Sequence, residues 1–158
     1  TDNFEGYKND KICDQGGNDT NWDTGNGVRF NKLSDDHKMV ALFDGAHPGN
    51  WQSLTSKSFD LTGYATVTLK YDRKMDDVNA PPSPLGNQSL KVEFSTNGGS
   101  SWTTLETATG ESGWTTKTFS LSPSANNKSN VKIRFTFTGD NGTNRAYLDN
   151  VTITAVSL

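Results

Sequence analysis

The sequence predicts an all-β fold, an antiparallel two-sheet β-sandwich or jelly roll of about eight or nine strands. Three observations predict it. Apolar and polar residues alternate with a period of two, which places them on opposite faces of strands. Segments rich in Gly, Asn, Asp and Ser separate these runs, as turns do. The sequence also lacks the apolar period of an amphipathic helix.

The candidate strands of the first half begin with three short apolar runs, at residues 28–30, 39–43 and 56–61. The clearest strand follows at residues 65–75. One of its faces is expected to pack into the core and carries Val67, Leu69, Tyr71, Arg73 and Met75. The other face carries Thr, Lys and Asp, so this strand is expected to have one solvated side.

A β-hairpin is predicted in the second half of the chain. Residues 90–94 alternate as a strand, and residues 102–105 return as its partner. The Thr-Asn-Gly-Gly-Ser segment between them favours a tight turn, because Asn and Gly tolerate positive φ. The remaining strands are expected at residues 114–121, 131–138 and 146–156.

The composition is compatible with one folded domain. The apolar fraction is only 31%, which is typical either of a disordered chain or of a thin sandwich with polar outer faces. The four Trp, eight Phe and four Tyr residues argue against disorder. We therefore expect residues 1–158 to form a single binding domain that belongs to a larger secreted or cell-surface protein with neighbouring domains.

Charge and cysteine content narrow the possible partners. The net charge is −3 and the basic residues form no run, so nucleic acid is not an expected partner. No apolar stretch is long enough for a membrane span. We expect a signal peptide to have been cleaved or to lie upstream in a longer precursor. Cys13 is the only cysteine, so an internal disulfide is impossible and a bound metal is the expected stabilising element.

Two long connections between predicted strands are candidate binding loops, at residues 8–27 and 76–88. The alternative is that both are solvated surface loops without a binding role. Trp22 lies in the first connection among Asn, Asp and Gly residues, so we expect its side chain to be exposed. Asp76 and Asp77 begin the second connection and are expected to hydrogen-bond a ligand or to help bind a second calcium ion, with plain solvation as the alternative.

Three further residues are candidate ligand contacts. Trp51 follows a His-Pro-Gly-Asn segment and is expected to flank a binding loop. Tyr71 and Arg73 continue the core-facing side of their strand toward the second long connection. We expect Arg73 to emerge at the rim of the sandwich and to bind a carboxylate through two hydrogen bonds. For each aromatic residue the alternative is packing in the core or at its edge.

Acidic residues near both ends of the chain suggest a calcium site. Asp149 has the same strand parity as Tyr147 and Val151, so it is expected to point toward the core. A buried carboxylate is unfavourable unless a cation or several donors satisfy it. Glu5 is a possible partner, and Asp44 a possible third ligand, of a calcium ion. The alternatives are that Asp149 ends a strand and binds backbone donors, and that Asp44 caps a turn.

The same segments resemble the MAM-type and carbohydrate-binding jelly rolls of secreted and cell-surface proteins. The chain opens with Phe4-Glu5-Gly6, and residues 147–153 read Tyr-Leu-Asp-Asn-Val-Thr-Ile near its end. Residues 56–61 and 67–71 resemble the central strands of such domains, and residues 90–102 are similar to a segment common in bacterial surface accessory domains.

This resemblance implies a jelly roll with a structural calcium, and Glu5 and Asp149 are the positions that match the family's ligands. The paired cysteines of animal MAM domains are missing, which favours a bacterial accessory or adhesion module. Such modules bind glycans, peptides or other proteins.

Catalytic groupings are missing from the sequence. His37 and His47 lie in no recognisable nucleophile setting, and there is no Cys and His cluster for zinc. Glycoside hydrolysis needs only two well-placed carboxylates, and Glu93 is expected on an open sheet face. The clustered acidic residues of sandwich-type glucanases are nevertheless missing.

The sequence therefore predicts a non-catalytic, calcium-stabilised extracellular binding module, most simply for carbohydrate. The alternatives are an adhesin domain that recognises a peptide or protein, a jelly-roll glycoside hydrolase or lyase, and a structural spacer.

Overall fold

Ten β-strands form the part of the chain that the computed structural model describes, which comprises residues 22–25, 28–33, 39–44, 51–77, 88–110, 112–139 and 144–158. The strands are β1 (Trp22–Gly25), β2 (Arg29–Lys32), β3 (Met39–Asp44), β4 (Trp51–Ser56), β5 (Tyr64–Asp77), β6 (Ser89–Ser95), β7 (Thr103–Thr109), β8 (Ser112–Ser120), β9 (Lys132–Thr138) and β10 (Asn144–Ser157). Within these ranges there is no helix that is long and apolar enough to cross a membrane.

The strands form two five-stranded sheets. Sheet A has the order β1-β4-β9-β6-β7 and sheet B has the order β2-β3-β10-β5-β8. Every strand pair is antiparallel. The predicted two-sheet jelly roll is therefore confirmed, with ten strands in place of the eight or nine expected.

The core lies between the sheets and follows the predicted alternation in the central strands. In β5, Val67, Leu69 and Tyr71 are completely buried. Facing them from β9 is Phe135, whose ring lies 5.1 Å from the Tyr71 ring in an edge-on arrangement. Alternation predicted these strands well because each has one apolar and one polar face.

The fourth strand lies upstream of its predicted position. Residues 56–61 were expected to form a strand, but β4 ends at Ser56, and Phe59 makes only an isolated bridge to Val131. Two inward positions of β4 carry polar side chains, Gln52 and Ser56, which are 2% and 0% exposed. The Ser56 hydroxyl accepts a hydrogen bond from the backbone N–H of Ile133. Because these inward positions carry polar side chains, the alternation of apolar residues does not reveal this strand in the sequence.

A bulge in β10 changes which side chains face the core. The register with β5 shifts between Asp149 and Thr152, and Asn150 has a φ of 51°. Leu148 packs into the core before the bulge and Val151 packs there after it. The predicted common, core-facing side of Tyr147, Asp149 and Val151 is therefore wrong. Asp149 pairs directly with Asp72, whose strand neighbours Tyr71 and Arg73 face inward, so Asp149 faces outward like Tyr147, and only Val151 turns toward the core. Tyr147 packs with side chains on the outer face of sheet B.

The sandwich has two distinct ends. At one end, which we call the loop end, β3, β5 and β9 finish and β4, β6 and β10 begin. At the other, which we call the cavity end, β4 finishes at Ser56, β5 begins at Tyr64 and β10 finishes at Ser157. The candidate sites divide between these ends.

Candidate functional site

The loop end brings together four residues that the sequence analysis identified as candidate metal or ligand contacts. Asp44 ends β3 and pairs with Arg145 of β10, which pairs on its other side with Asp76 of β5. The next residue of β5, Asp77, lies at the same end opposite Asn144. Trp51 also lies there, at the start of β4, where its backbone pairs with Thr138. Strand order and register thus place these four predicted positions at the same end of the sandwich.

Three buried polar atoms at the loop end lack hydrogen-bond partners within the described part of the chain. They are Oδ1 of Asp76, Nε of Arg145 and Oε1 of Gln88. Gln88 lies just before β6 and is only 2% exposed. Each such atom costs about 1–3 kcal/mol if it stays unpaired. Two acceptors and a donor at this end are therefore unsatisfied among the described residues.

Charged and aromatic groups surround Asp76 and Arg145. The Lys74 ammonium lies 3.2 Å from Oδ2 of Asp76 and 5.3 Å from the ring centroid of Tyr147. Burial raises the pKa of Tyr147, and the negative charge of Asp76 adds to that rise. A hydrogen bond from Arg145 and the positive charges of Arg145 and Lys74 act in the opposite direction. The Tyr147 hydroxyl is therefore neutral at physiological pH.

The outer face of sheet B next to this site carries an apolar cluster that was not predicted. Tyr147 and Trp114 lie 6.3 Å apart between ring centroids, with Val40, Leu42 and Leu33 packed beside them. Val40 and Leu42 are buried although they point away from the core. That part of the outer face is therefore closed to a ligand. Trp114 is half-buried and lies at its border.

Tyr71 and Arg73 do not face a ligand, which corrects their predicted role. Arg73 does bind a carboxylate through two contacts, but the carboxylate belongs to Glu106 of the same chain, at 2.6 Å and 3.2 Å. Tyr71 is completely buried and its hydroxyl donates to Glu106 at 2.7 Å. Burial and the neighbouring Glu106 raise the pKa of Tyr71 strongly. Glu106 escaped the sequence prediction because a bulge interrupts the alternation of β7.

Trp22 is buried, which corrects its predicted exposure. It is 3% exposed, and its ring lies 6.1 Å from that of Phe135 in the core. Residues 22–25 were expected to lie in a loop but form strand β1, in which Trp22 pairs with Ser56 of β4. Because Ser56 faces inward, its direct partner does so as well.

A cavity of about 540 Å³ opens at the cavity end, and Trp22 forms part of its wall. Most of the described lining residues are apolar, and two of them, Ser58 and Asp60, are polar. The apolar residues that line it are Trp22, Phe59, Leu61, Tyr64, Ile133, Val151, Ile153 and Ala155. Among the described lining residues, Trp22 is the one that the sequence predicted as a ligand contact.

The predicted calcium ligands are only partly described. Asp149 is 2% exposed and lies opposite Asp72 of β5. Asn150 donates from its side-chain amide to both carboxylates, at 2.9 Å to Asp72 and 3.4 Å to Asp149. Within the described ranges no three His, Cys, Asp or Glu side chains are grouped to hold a metal ion. Glu5 lies outside the described residues.

Asp44 does not share an ion with Asp149, which corrects the predicted set of three ligands. Asp44 pairs with Arg145, which is four positions before Asp149 along β10. Four residues of a strand span about 13 Å, whereas calcium ligands lie within about 2.6 Å of the ion.

The outer face of sheet A carries a second polar cluster. Glu93 faces away from the core, as the sequence predicted, and receives two hydrogen bonds from Arg134, at 2.8 Å and 3.0 Å. The Trp102 ring lies 4.0 Å from the Arg134 guanidinium carbon. These contacts leave Glu93 only 5% exposed. The cluster is therefore satisfied internally, unlike the polar atoms at the loop end.

The fold resembles those of known binding domains. The K3 cleaved adhesin domain of Lys-gingipain from Porphyromonas gingivalis W83 is 16% identical, with a TM-score of 0.60 over 84% of this chain and 91% of that one. TmCBM61 in complex with β-1,4-galactotriose is 9% identical, with a TM-score of 0.55 over 85% and 88%. CBM27-1 of Caldicellulosiruptor saccharolyticus in complex with mannohexaose is 20% identical, with a TM-score of 0.54 over 78% and 80%.

These likenesses confirm the predicted resemblance to carbohydrate-binding jelly rolls at the level of the fold. No curated protein sequence matches the chain. A family model, described as Reelin subrepeat B, matches residues 26–154 and so covers most of the sequence. The chain therefore belongs to the Reelin subrepeat B family.

Proposed function

We propose that this domain is a non-catalytic, extracellular carbohydrate-binding module and that the loop end is its binding surface. The observation that carries the proposal is the set of buried polar atoms on Asp76, Gln88 and Arg145 that lack partners among the described residues. They lie where strand register also places Asp44 and Asp77.

The chemistry of these atoms suits a neutral sugar. A hydroxyl group both donates and accepts hydrogen bonds, so adjacent hydroxyls match a carboxylate oxygen and a guanidinium N–H together. Asp76 supplies the acceptor and Arg145 the donor. Three Asp positions stand against two cations, Lys74 and Arg145, at this end, so its net negative charge disfavours an anionic ligand. We therefore expect neutral polysaccharides to bind in preference to acidic ones.

Similar solved structures support carbohydrate as the ligand class. Two of them contain a bound galactotriose or mannohexaose, and a third is described as a carbohydrate-binding module specific for non-crystalline cellulose. Their sequence identities to this chain are 20% or less, so they support the class and leave the particular sugar to experiment.

The separation and the arginine partners of Glu93 and Glu106 support a non-catalytic role. Glycoside hydrolysis needs a pair of carboxyl groups about 5–9.5 Å apart, one of them with a raised pKa. Glu93 and Glu106 lie on opposite faces of sheet A, and each is paired with an arginine. Burial alone would raise the pKa of Glu106, but hydrogen bonds from Arg73 and Tyr71 lower it overall. A group with a lowered pKa is a poor general acid.

A second candidate function is recognition of a peptide or protein. The adhesin domain of Lys-gingipain, with its TM-score of 0.60, favours it. The same loop end would then serve as the binding surface, with Arg145 available to a backbone carbonyl or a carboxylate.

We also propose a structural calcium ion next to Asp149. Asp149 and Asp72 face each other across two strands, and two like charges so placed repel unless a cation or several donors satisfy them. Glu5 is the ligand expected from the N-terminal segment. Asn150 and Thr116 donate hydrogen bonds to these carboxylates, and a bound calcium ion would add positive charge beside them.

A polysaccharide panel tests the carbohydrate function. The purified domain is run in native gels that contain β-mannan, galactan, non-crystalline cellulose or polygalacturonate. We expect retardation by at least one neutral polymer and none by polygalacturonate. The Asp76→Ala variant should lose the retardation. Asp23→Ala, which removes a carboxylate paired with Lys57 on the outer face of sheet A, should keep it.

The possible outcomes of the panel are distinct. Retardation of the wild type that survives Asp76→Ala would move the site away from the loop end. No retardation by any polymer would reject the carbohydrate function and favour a peptide or protein ligand.

A further inference from the structure

The cavity at the cavity end is built from both sheets. Sheet A contributes Trp22 of β1 and Ile133 of β9, and sheet B contributes the last part of β10. The bulge at Asn150 allows Val151 and Ile153 to point into the space between the sheets. The part of the cavity wall that β10 forms therefore depends on this bulge, which places Val151 on the opposite face of the strand from Tyr147.

The segment between β4 and β5 forms the mouth of the cavity. It contributes Phe59 and Asp60, and Tyr64 follows at the start of β5. Tyr64 is 42% exposed, so one side of its ring is open to solvent. Asp60 is exposed, and its Oδ1 accepts a hydrogen bond from the backbone N–H of Thr62 at 2.9 Å. Hydrogen bonds from the side chain and backbone of Thr62 lower the pKa of Asp60, so this carboxylate is charged at neutral pH.

The volume and lining of the cavity suit a small molecule. A volume of about 540 Å³ lies within the range of protein ligand pockets. Eight of the ten described lining residues are apolar, so their side chains offer few partners for the many hydroxyls of a sugar ring. Three of the described lining residues are aromatic, namely Trp22, Phe59 and Tyr64, and aromatic faces attract cations. Asp60 is the only charged residue among the described lining.

We propose that this cavity binds a small organic ammonium ion with an apolar body. The aliphatic side chains of the cavity contact the apolar body of the ligand, and the aromatic side chains contact its ammonium group or its apolar body. Asp60 supplies the opposite charge at the mouth of the cavity. The proposed carbohydrate site is at the opposite end of the sandwich, so this second site is independent of it.

A pair of probes with the same phenol and opposite charge tests the proposal. Tyramine carries an ammonium group, and 3-(4-hydroxyphenyl)propanoate carries a carboxylate. We expect isothermal titration of the full chain to show tyramine binding at least about fivefold more tightly than the acid. The Asp60→Asn variant keeps the acceptor for Thr62 and should lose most of this preference. Equal affinities of the wild type for the two probes, or no binding of tyramine, would overturn the proposal.

A variant that fills the cavity locates the bound probe. Ala155 lines the cavity, whereas its neighbour Val156 is 59% exposed. We expect Ala155→Phe to abolish tyramine binding and Val156→Phe to leave it unchanged. If Ala155→Phe does not fold by circular dichroism, Tyr64→Ala serves instead, because the exposed Tyr64 side chain contributes little to the core. Binding that is unaffected by whichever of these two cavity variants folds contradicts the proposed location.

Discussion

Arg73 and Glu106 form an ion pair that joins the two sheets. The Arg73 Nη2 lies 2.6 Å from Oε1 of Glu106, and Nε lies 3.2 Å from Oε2. Their side chains are only 10% and 12% exposed. Tyr71 and Lys117 of sheet B also contact this carboxylate. Glu106 of sheet A thus holds three side chains of sheet B at the edge where β7 meets β8.

Loss of the Glu106 carboxylate should destabilise the domain. We expect Glu106→Ala to lower the free energy of unfolding by about 3–5 kcal/mol, because Arg73 would remain as a buried charge without its partner. Urea denaturation measures the change. As a control, Lys57→Ala breaks a surface pair with Asp23 and should cost less than about 1 kcal/mol. Similar losses for the two variants would show that the inter-sheet pair contributes no special stability.

The same carboxylate should make stability depend on pH in the acidic range. The pKa of Glu106 in the folded state lies below its ordinary value of 4.5. Its stabilising contribution is therefore complete above the unfolded pKa and is lost as pH falls through the folded one. We expect the unfolding free energy to decline below about pH 4.5, and Glu106→Gln to show a shallower decline. Identical slopes for the two proteins would contradict the assignment.

The turn before Trp102 requires glycine at position 99. Gly99 has a φ of 99°, and an added Cβ would lie 3.3 Å from Cζ2 of Trp102. We expect Gly99→Ala to lower the melting temperature through a cost of about 1–2 kcal/mol. Gly113→Ala is the matched control, because a Cβ there meets nothing within 4 Å. A control variant as unstable as Gly99→Ala would count against the close packing of Trp102.

Calcium removal tests the proposed ion next to Asp149. A ligand that binds only the folded state raises stability, by about 2.7 kcal/mol when it is present at a hundred times its dissociation constant. We expect calcium to raise the melting temperature and a chelator to reverse the rise. Asp149→Asn should lose this response, and Asp23→Asn should keep it. A wild-type melting temperature that is indifferent to calcium would reject the site.

Much of the fold was predictable from the sequence, because β5, β6 and β9 each have one apolar and one polar face. The errors arose where the local pattern is misleading. Trp22 lies among polar residues, yet pairing with β4 directs it inward. The bulge at Asn150 reverses the faces of β10. An alternating sequence pattern does not indicate where such an extra residue is inserted.

The candidate site was predictable in part. Asp44, Trp51, Asp76 and Asp77 were identified by their turn-rich surroundings, and strand order then placed them at one end. Arg145 was missed because its importance depends on two neighbouring strands that are distant in sequence. Such cross-strand relationships appear only once the register is known.

The most direct test of the central claim is the dissociation constant for an oligosaccharide of the polymer that retards the domain. Isothermal titration would compare the wild type with Arg145→Gln at the loop end and Lys132→Gln on sheet A. We predict that Arg145→Gln weakens binding by about tenfold or more and that Lys132→Gln changes it by less than about twofold. Unchanged affinity in Arg145→Gln, or a larger loss in Lys132→Gln, would contradict the loop end as the carbohydrate-binding surface.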